Sequence, residues 1–118
     1  DVKLLPGGLV DIEFIVHTLQ LTHHTGFDPD LRTAIALLIQ AGLADPSLGD
    51  AHDLMARLLI TLRLVAPDCA VPPPASQALI ARACGHEDWD ALLEAVELAR
   101  TGVQTAWQHL FGAEPPAE

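Results

Sequence analysis

Seven residues near the C-terminal end, Trp89, Leu92, Val96, Ala99, Val103, Ala106 and Leu110, recur at intervals of three or four. That spacing draws one apolar stripe along a helix of about six turns, predicted over residues 88–111. A helix of that length needs partners to cover its stripe, and the rest of the chain supplies the same period. Leu31, Ile35 and Leu38 predict a helix over 29–41, and Ala51, Met55, Leu58, Leu62 and Val65 one over 50–65. A short helix is expected over 76–84 and a largely apolar, central one over 9–24. Beyond the first few residues no run alternates long enough to form a strand. The expected fold is therefore all-α, a five-helix bundle with a short extended N-terminal arm.

Breakers divide these segments. Pro6-Gly7-Gly8 precedes the first helix and Gly26 is placed to end it. Asp28 with Pro29 reads as the N-cap and first turn of the second helix, which Gly42 closes. Pro67 and Pro72-Pro73-Pro74 form a stiff connection inside one domain, since neither flank is long enough to fold alone. The organisation expected is an arm at 1–8, a bundle at 9–112 and a disordered tail at 113–118. The start at Asp1, within an extended Asp-Val-Lys-Leu-Leu run, reads as an excised piece of a longer protein.

At 118 residues the chain suits one domain with its own core. Its net charge is −10, and 84–118 hold seven acids against Arg100 alone. Such a surface repels phosphate backbones and acidic lipids, which argues against nucleic-acid and membrane partners. No stretch is long and apolar enough to span a bilayer, and no signal peptide is evident. Two cysteines, Cys69 and Cys84, read as structural thiols of a reducing, cytoplasmic compartment.

The segment Gly7-Gly8-Leu9-Val10-Asp11-Ile12-Glu13-Phe14 carries the most chemical information. Two carboxylates one residue apart after paired glycines imitate the metal-gripping Asp-x-Asp of a nucleotidyltransferase. In a helix, however, Asp11 and Glu13 stand about 200° apart and cannot share an ion. The better reading is structural. With Gly8 as N-cap, Asp11 sits near the third helical position, where a carboxylate accepts from free backbone N–H groups. Asp11 falls among Phe14, Ile15 and Thr18 on the apolar side, so it needs a partner, either backbone groups or an Arg such as Arg57 or Arg63. A second stripe, Glu13, His17, Gln20 and His24, places its two histidines about 10 Å apart, too far for one metal. A Glu13–His17 pair completed from elsewhere stays open as a weaker, metal-dependent alternative. No nucleophile–base arrangement is evident, so no catalytic residue is assigned.

The same Gly-Gly-Leu-Val-Asp-Ile-Glu-Phe-Ile run, preceded by Asp1-Val2-Lys3 and followed by Leu19-Gln20-Leu21, resembles the opening of the helical domain of glutamine-synthetase adenylyltransferase. The helical domain of PII uridylyltransferases is similar in arrangement. The resemblance is tight over 1–21 and diffuse afterwards, with Leu62-Arg63 resembling a Leu-Arg step of the family. Val10 stands where the family often has Arg, which resembles the C-terminal, adenylylating half. The resemblance implies a parent that transfers AMP from ATP to a tyrosine of glutamine synthetase, with Mg²⁺ and the catalytic carboxylates in a preceding nucleotidyltransferase domain. It implies no cofactor in this piece itself. Lys3, Gly7 and Gly8 would lie where the arm meets that domain, near the nucleotide cleft, and Asp11 and Glu13 would lock the first helix to the junction. Partners implied are that preceding domain, glutamine synthetase and the PII signalling protein. A free-standing helical interaction module is the alternative from another class.

Overall fold

The computed structural model describes residues 7–65 and 72–112. Lys3, most of the expected arm, Cys69 and the expected tail lie outside them. Among the described residues there are five helices and no strand: α1 (Leu9–His23), α2 (Leu31–Gln40), α3 (Pro46–Val65), α4 (Pro74–Ala83) and α5 (Trp89–Phe111). The all-α reading holds.

The long helices α3 and α5 run antiparallel and form the spine. Leu48, Ala51 and Met55 of α3 pack with Val103, Ala106 and Leu110 of α5 in a core that α1 and α2 complete with Ile12, Ile15, Val16, Leu19, Ile35 and Leu38. Leu58, Leu62 and Val65 pack instead with Trp89, Leu92 and Val96, closed by Ile80 and Ala81 of α4. Every core position read from the stripe of α5 is buried or half-buried. Each fully buried Leu or Ile contributes roughly 1.5–3 kcal/mol relative to exposure, so this interdigitation is what holds the helices.

Three helix starts differ from expectation, each for a local reason. α2 begins at Leu31 rather than Pro29, because Asp30 takes the cap: its carboxylate accepts from the Thr33 N–H at 3.1 Å and hydroxyl at 2.7 Å. Asp28 instead accepts from the Asp30 N–H at 2.9 Å, making the turn before it. α3 starts at Pro46, one turn before Asp50, with Asp45 accepting from the Ser47 N–H at 2.9 Å. α4 starts at Pro74, because a proline in the first turn loses no helical hydrogen bond. The last helix matches, with Asp88 capping it through the Ala91 N–H at 2.8 Å.

α1 is largely apolar, as expected, but one of its faces is exposed. Leu9, Ile12, Ile15, Val16 and Leu19 face the core, but Val10, Phe14 and Leu21 are exposed. α1 packs against α2, α3 and α5. It ends at His24, whose left-handed backbone (φ 52°) forms the C-cap ahead of Gly26.

Candidate functional site

The chain enters the bundle through Gly7 and Gly8, both buried. Gly7 has φ +78°, a conformation that costs a side-chain-bearing residue about 1–2 kcal/mol. It also lies directly on the backbone of α5, where a Cβ would collide with the carbonyl of Arg100. Gly8 is the N-cap of α1, with extended backbone and no side chain to cap the first turn. Asp11 instead reaches back from inside the helix to the residue before the cap: its Oδ2 accepts the Gly7 N–H at 2.7 Å, while Gly8 C=O accepts the Ile12 N–H at 3.1 Å. The negative carboxylate also sits in the first turn, against the positive end of the helix dipole. The turn is thereby fixed from both sides, by a hydrogen bond to α1 and by close packing on α5.

Asp11 is half-buried, and backbone is the partner the structure gives it. Arg57 and Arg63 are exposed on α3, and among the described residues no ion pair joins either to Asp11. Arg100 pairs with Glu97 one turn earlier on α5, beside the Gly7 contact.

The second stripe does not converge. Glu13, His17 and His24 are exposed. Gln20 is buried, and its amide donates to the Gly26 carbonyl at 2.8 Å, tying α1 to the loop before α2. Gly26 itself is buried with φ +72°, and a Cβ there would strike the Leu38 side chain. Among the described residues no three His, Cys, Asp or Glu side chains come together as a metal-binding group. Asp11 is engaged by backbone and Glu13 faces solvent, so the residues present do not fit a Mg²⁺ site.

One feature of this region was not read from the sequence. Phe14 meets Trp107 and Phe111 of α5, with ring centroids 5.2 and 5.5 Å away, and Trp107 and Phe111 lie 4.6 Å apart. These are favourable tilted geometries. The signal available was faint: Phe14 and Phe111 both sit beside, not on, the apolar stripes of their helices. A groove of about 430 Å³ opens on the other side of α1, lined by Ile15, Leu19, Leu43, Leu48, Ala106 and Leu110 among others.

Two capping carboxylates and one thiol are perturbed elsewhere. The Thr33 hydroxyl, then its N–H, lower the pKa of Asp30, and the Ser47 backbone N–H lowers that of Asp45. Burial raises that of the Cys84 thiol against opposing effects of Thr61 and Arg57. No described helix is long and apolar enough to cross a membrane.

Fold and entry turn define a small helical-bundle domain whose first helix is anchored at the point where the chain comes in. A family model described as GlnD PII-uridylyltransferase matches residues 1–111. The chain belongs to that family. It is similar to the bifunctional glutamine synthetase adenylyltransferase/adenylyl-removing enzyme of Caulobacter vibrioides, 36% identical over 118 aligned residues, covering 92% of this chain and 12% of the relative. The enzymes of the same name from Xanthomonas axonopodis pv. citri and Xanthomonas campestris pv. campestris are 33% identical, covering 94% of this chain and 13% of theirs. The chain thus spans about one-eighth of the length of these relatives. No solved structure matches it.

Proposed function

We propose that this chain is a helical accessory domain of a glutamine-synthetase adenylyltransferase. The parent enzyme transfers AMP from ATP to a tyrosine of glutamine synthetase, and removes it, with ATP and Mg²⁺ held in a preceding nucleotidyltransferase domain. The role of this domain is to brace that catalytic domain in the cytoplasm and to present surface to glutamine synthetase or to the PII protein. The observation that carries the reading is identity of 36% spread over 92% of the chain with an enzyme of that name.

Under this reading Lys3, Gly7 and Gly8 belong to the junction near the nucleotide cleft, and Asp11 and Glu13 hold the first helix to it. The geometry around Gly7 supports a junction: its amide is held by Asp11 and its α-carbon leaves no room above Arg100.

The test uses the complete reading frame that contains this chain. Incubated with glutamine synthetase, ATP and Mg²⁺, the full-length protein is expected to add AMP to a tyrosine, read as a mass increment on one peptide. Its upstream sequence is expected to hold a Gly-Ser or Gly-Gly and, about ten residues on, an Asp-x-Asp able to grip metal. A full-length protein with neither the motif nor the transfer sinks the reading and leaves a free-standing interaction module.

A further inference from the structure

We propose that the exposed aromatic face formed by Val10 and Phe14 of α1 with Trp107 and Phe111 of α5 is the surface on which the preceding part of the parent chain packs. This rests on reading the chain as one domain of a longer enzyme. The sequence has only five aromatic residues, and three of them meet here. Phe14 is 53% exposed, Val10 41% and Phe111 37%. Clustered exposed aromatics on a chain poor in them mark a surface that is covered in the working assembly.

Few acids lie near the rings. The chain carries sixteen acids, yet none falls between Phe14 and His23 on α1 or between Leu98 and Phe111 on α5. The acids of α5 are confined to its first half. An exposed apolar patch that Asp11 and Glu13 flank only at its Val10 end, inside a protein of charge −10, suits an apolar protein surface, which is desolvated on contact, rather than a charged ligand.

Proximity selects the occupant. The relatives are about eight times longer than this chain, so the parent has ample surface to offer. Gly7 is wedged on the α5 backbone at Arg100, and Trp107 lies seven residues further along the same helix, about 10 Å away. Gly7, where the preceding sequence joins the described domain, therefore lies beside the patch. Tethering at that range gives an intramolecular partner a high effective concentration over any free one.

Hydroxyl-radical footprinting read by mass spectrometry tests this without needing enzymatic activity. The full-length protein is compared with the 118-residue chain, whose folding is first checked by circular dichroism. Phe14, Trp107 and Phe111 are expected to be oxidised at least about threefold more slowly in the full-length protein, as a water-excluding interface requires. Exposed Leu79 and Leu98, away from the patch, should be unchanged. Val10→Glu in the full-length protein, which leaves the three rings in place, should restore fast oxidation of Trp107. Equal oxidation in both proteins overturns the proposal, as does a reading frame holding only these 118 residues. Protection that grows with protein concentration overturns it in favour of a second copy, and protection that needs added glutamine synthetase overturns it in favour of that partner. Protected rings in a full-length protein that transfers no AMP support this placement and sink the functional reading instead.

Discussion

The amide of Gly7 donates to the Asp11 carboxylate at 2.7 Å, so the last residue before the N-cap is tied to the first turn of the helix it introduces. The same Gly7 rests on the carbonyl of Arg100, ninety-three residues away in sequence. One glycine thus joins a local cap to a long-range contact, and a side chain there meets two penalties. Gly7→Ala is expected to cost about 2–4 kcal/mol, from left-handed strain and from displacing the α5 backbone. Gly85→Ala, also at positive φ but with open space around it, should cost only about 1–2 kcal/mol. Urea unfolding of the two variants at neutral pH measures the difference.

Asp11 separates charge from hydrogen bonding. Asp11→Asn keeps an acceptor for the Gly7 N–H and loses the favourable charge at the helix N-terminus, an expected cost of about 0.3–1 kcal/mol. Asp11→Ala also leaves the amide of a buried residue without its partner, and the cost should rise to about 1–3 kcal/mol. If the two variants unfold at the same urea concentration, the hydrogen bond contributes nothing.

Much of this architecture is legible from local pattern, and what is not has a physical reason. The stripe of α5 and the Asp88 cap are written in residues three or four apart, so the helix, its start and its buried side can be read directly. Gly8 as cap and Asp11 near the third helical position are equally local. The sequence 28–31 offers two aspartates two residues apart, either of which can cap. Only the Thr33 hydroxyl, which adds a second bond to Asp30, decides between them. The aromatic face is the opposite case. Phe14 lies off the buried stripe of α1 that Ile12, Ile15, Val16 and Leu19 form, and it is exposed, yet it still meets Trp107 and Phe111 of α5. Which residues of α5 meet α1 is fixed by long-range packing, which helical period does not encode.

The two lowered carboxylates give the domain an acid limb. A folded pKa below the unfolded one means the unfolded state binds protons more readily as pH falls. The contribution of Asp30 and Asp45 is therefore fully present above the ordinary carboxylate range and is lost as pH falls through their lowered values. Stability should decline between about pH 4 and pH 2. Asp30→Asn with Asp45→Asn, which keep capping oxygens, should flatten part of that decline in thermal melts taken across this range. An unchanged slope excludes these caps as its source.

Cys84 is buried, and burial holds its thiol in the protonated, unreactive form. In a Cys69→Ser background, labelling of Cys84 by a disulfide reagent at neutral pH should be slow and should track opening of the α3–α4–α5 core. Met55→Ala lies in the other core and is fully buried, with an expected cost of about 2–5 kcal/mol. If the bundle opens as one unit, that distant substitution accelerates labelling of Cys84 in proportion to its destabilisation. Labelling that ignores it would mean the two cores open separately.

Gln20 provides a test in which pH acts with the opposite sign. Its buried amide donates to the Gly26 carbonyl, which pins the loop that α2 needs to pack against α1. Gln20→Leu leaves that carbonyl without its donor and should cost about 1–3 kcal/mol. Gln20→Glu is nearly isosteric, but an ionised carboxylate has no proton to donate and would face a carbonyl oxygen in a buried site. The protonated acid can donate, so folding favours it and raises the pKa of the introduced carboxyl above its unfolded value. The stability of this variant is then greatest below the unfolded carboxylate pKa and falls as pH rises toward the raised folded value. Its deficit relative to the parent sequence should therefore be large at pH 7 and shrink as pH falls toward about 4. Urea midpoints of both proteins at the two pH values provide the measurement. A deficit that stays constant would mean the side chain has turned out to solvent and the tie to Gly26 is dispensable.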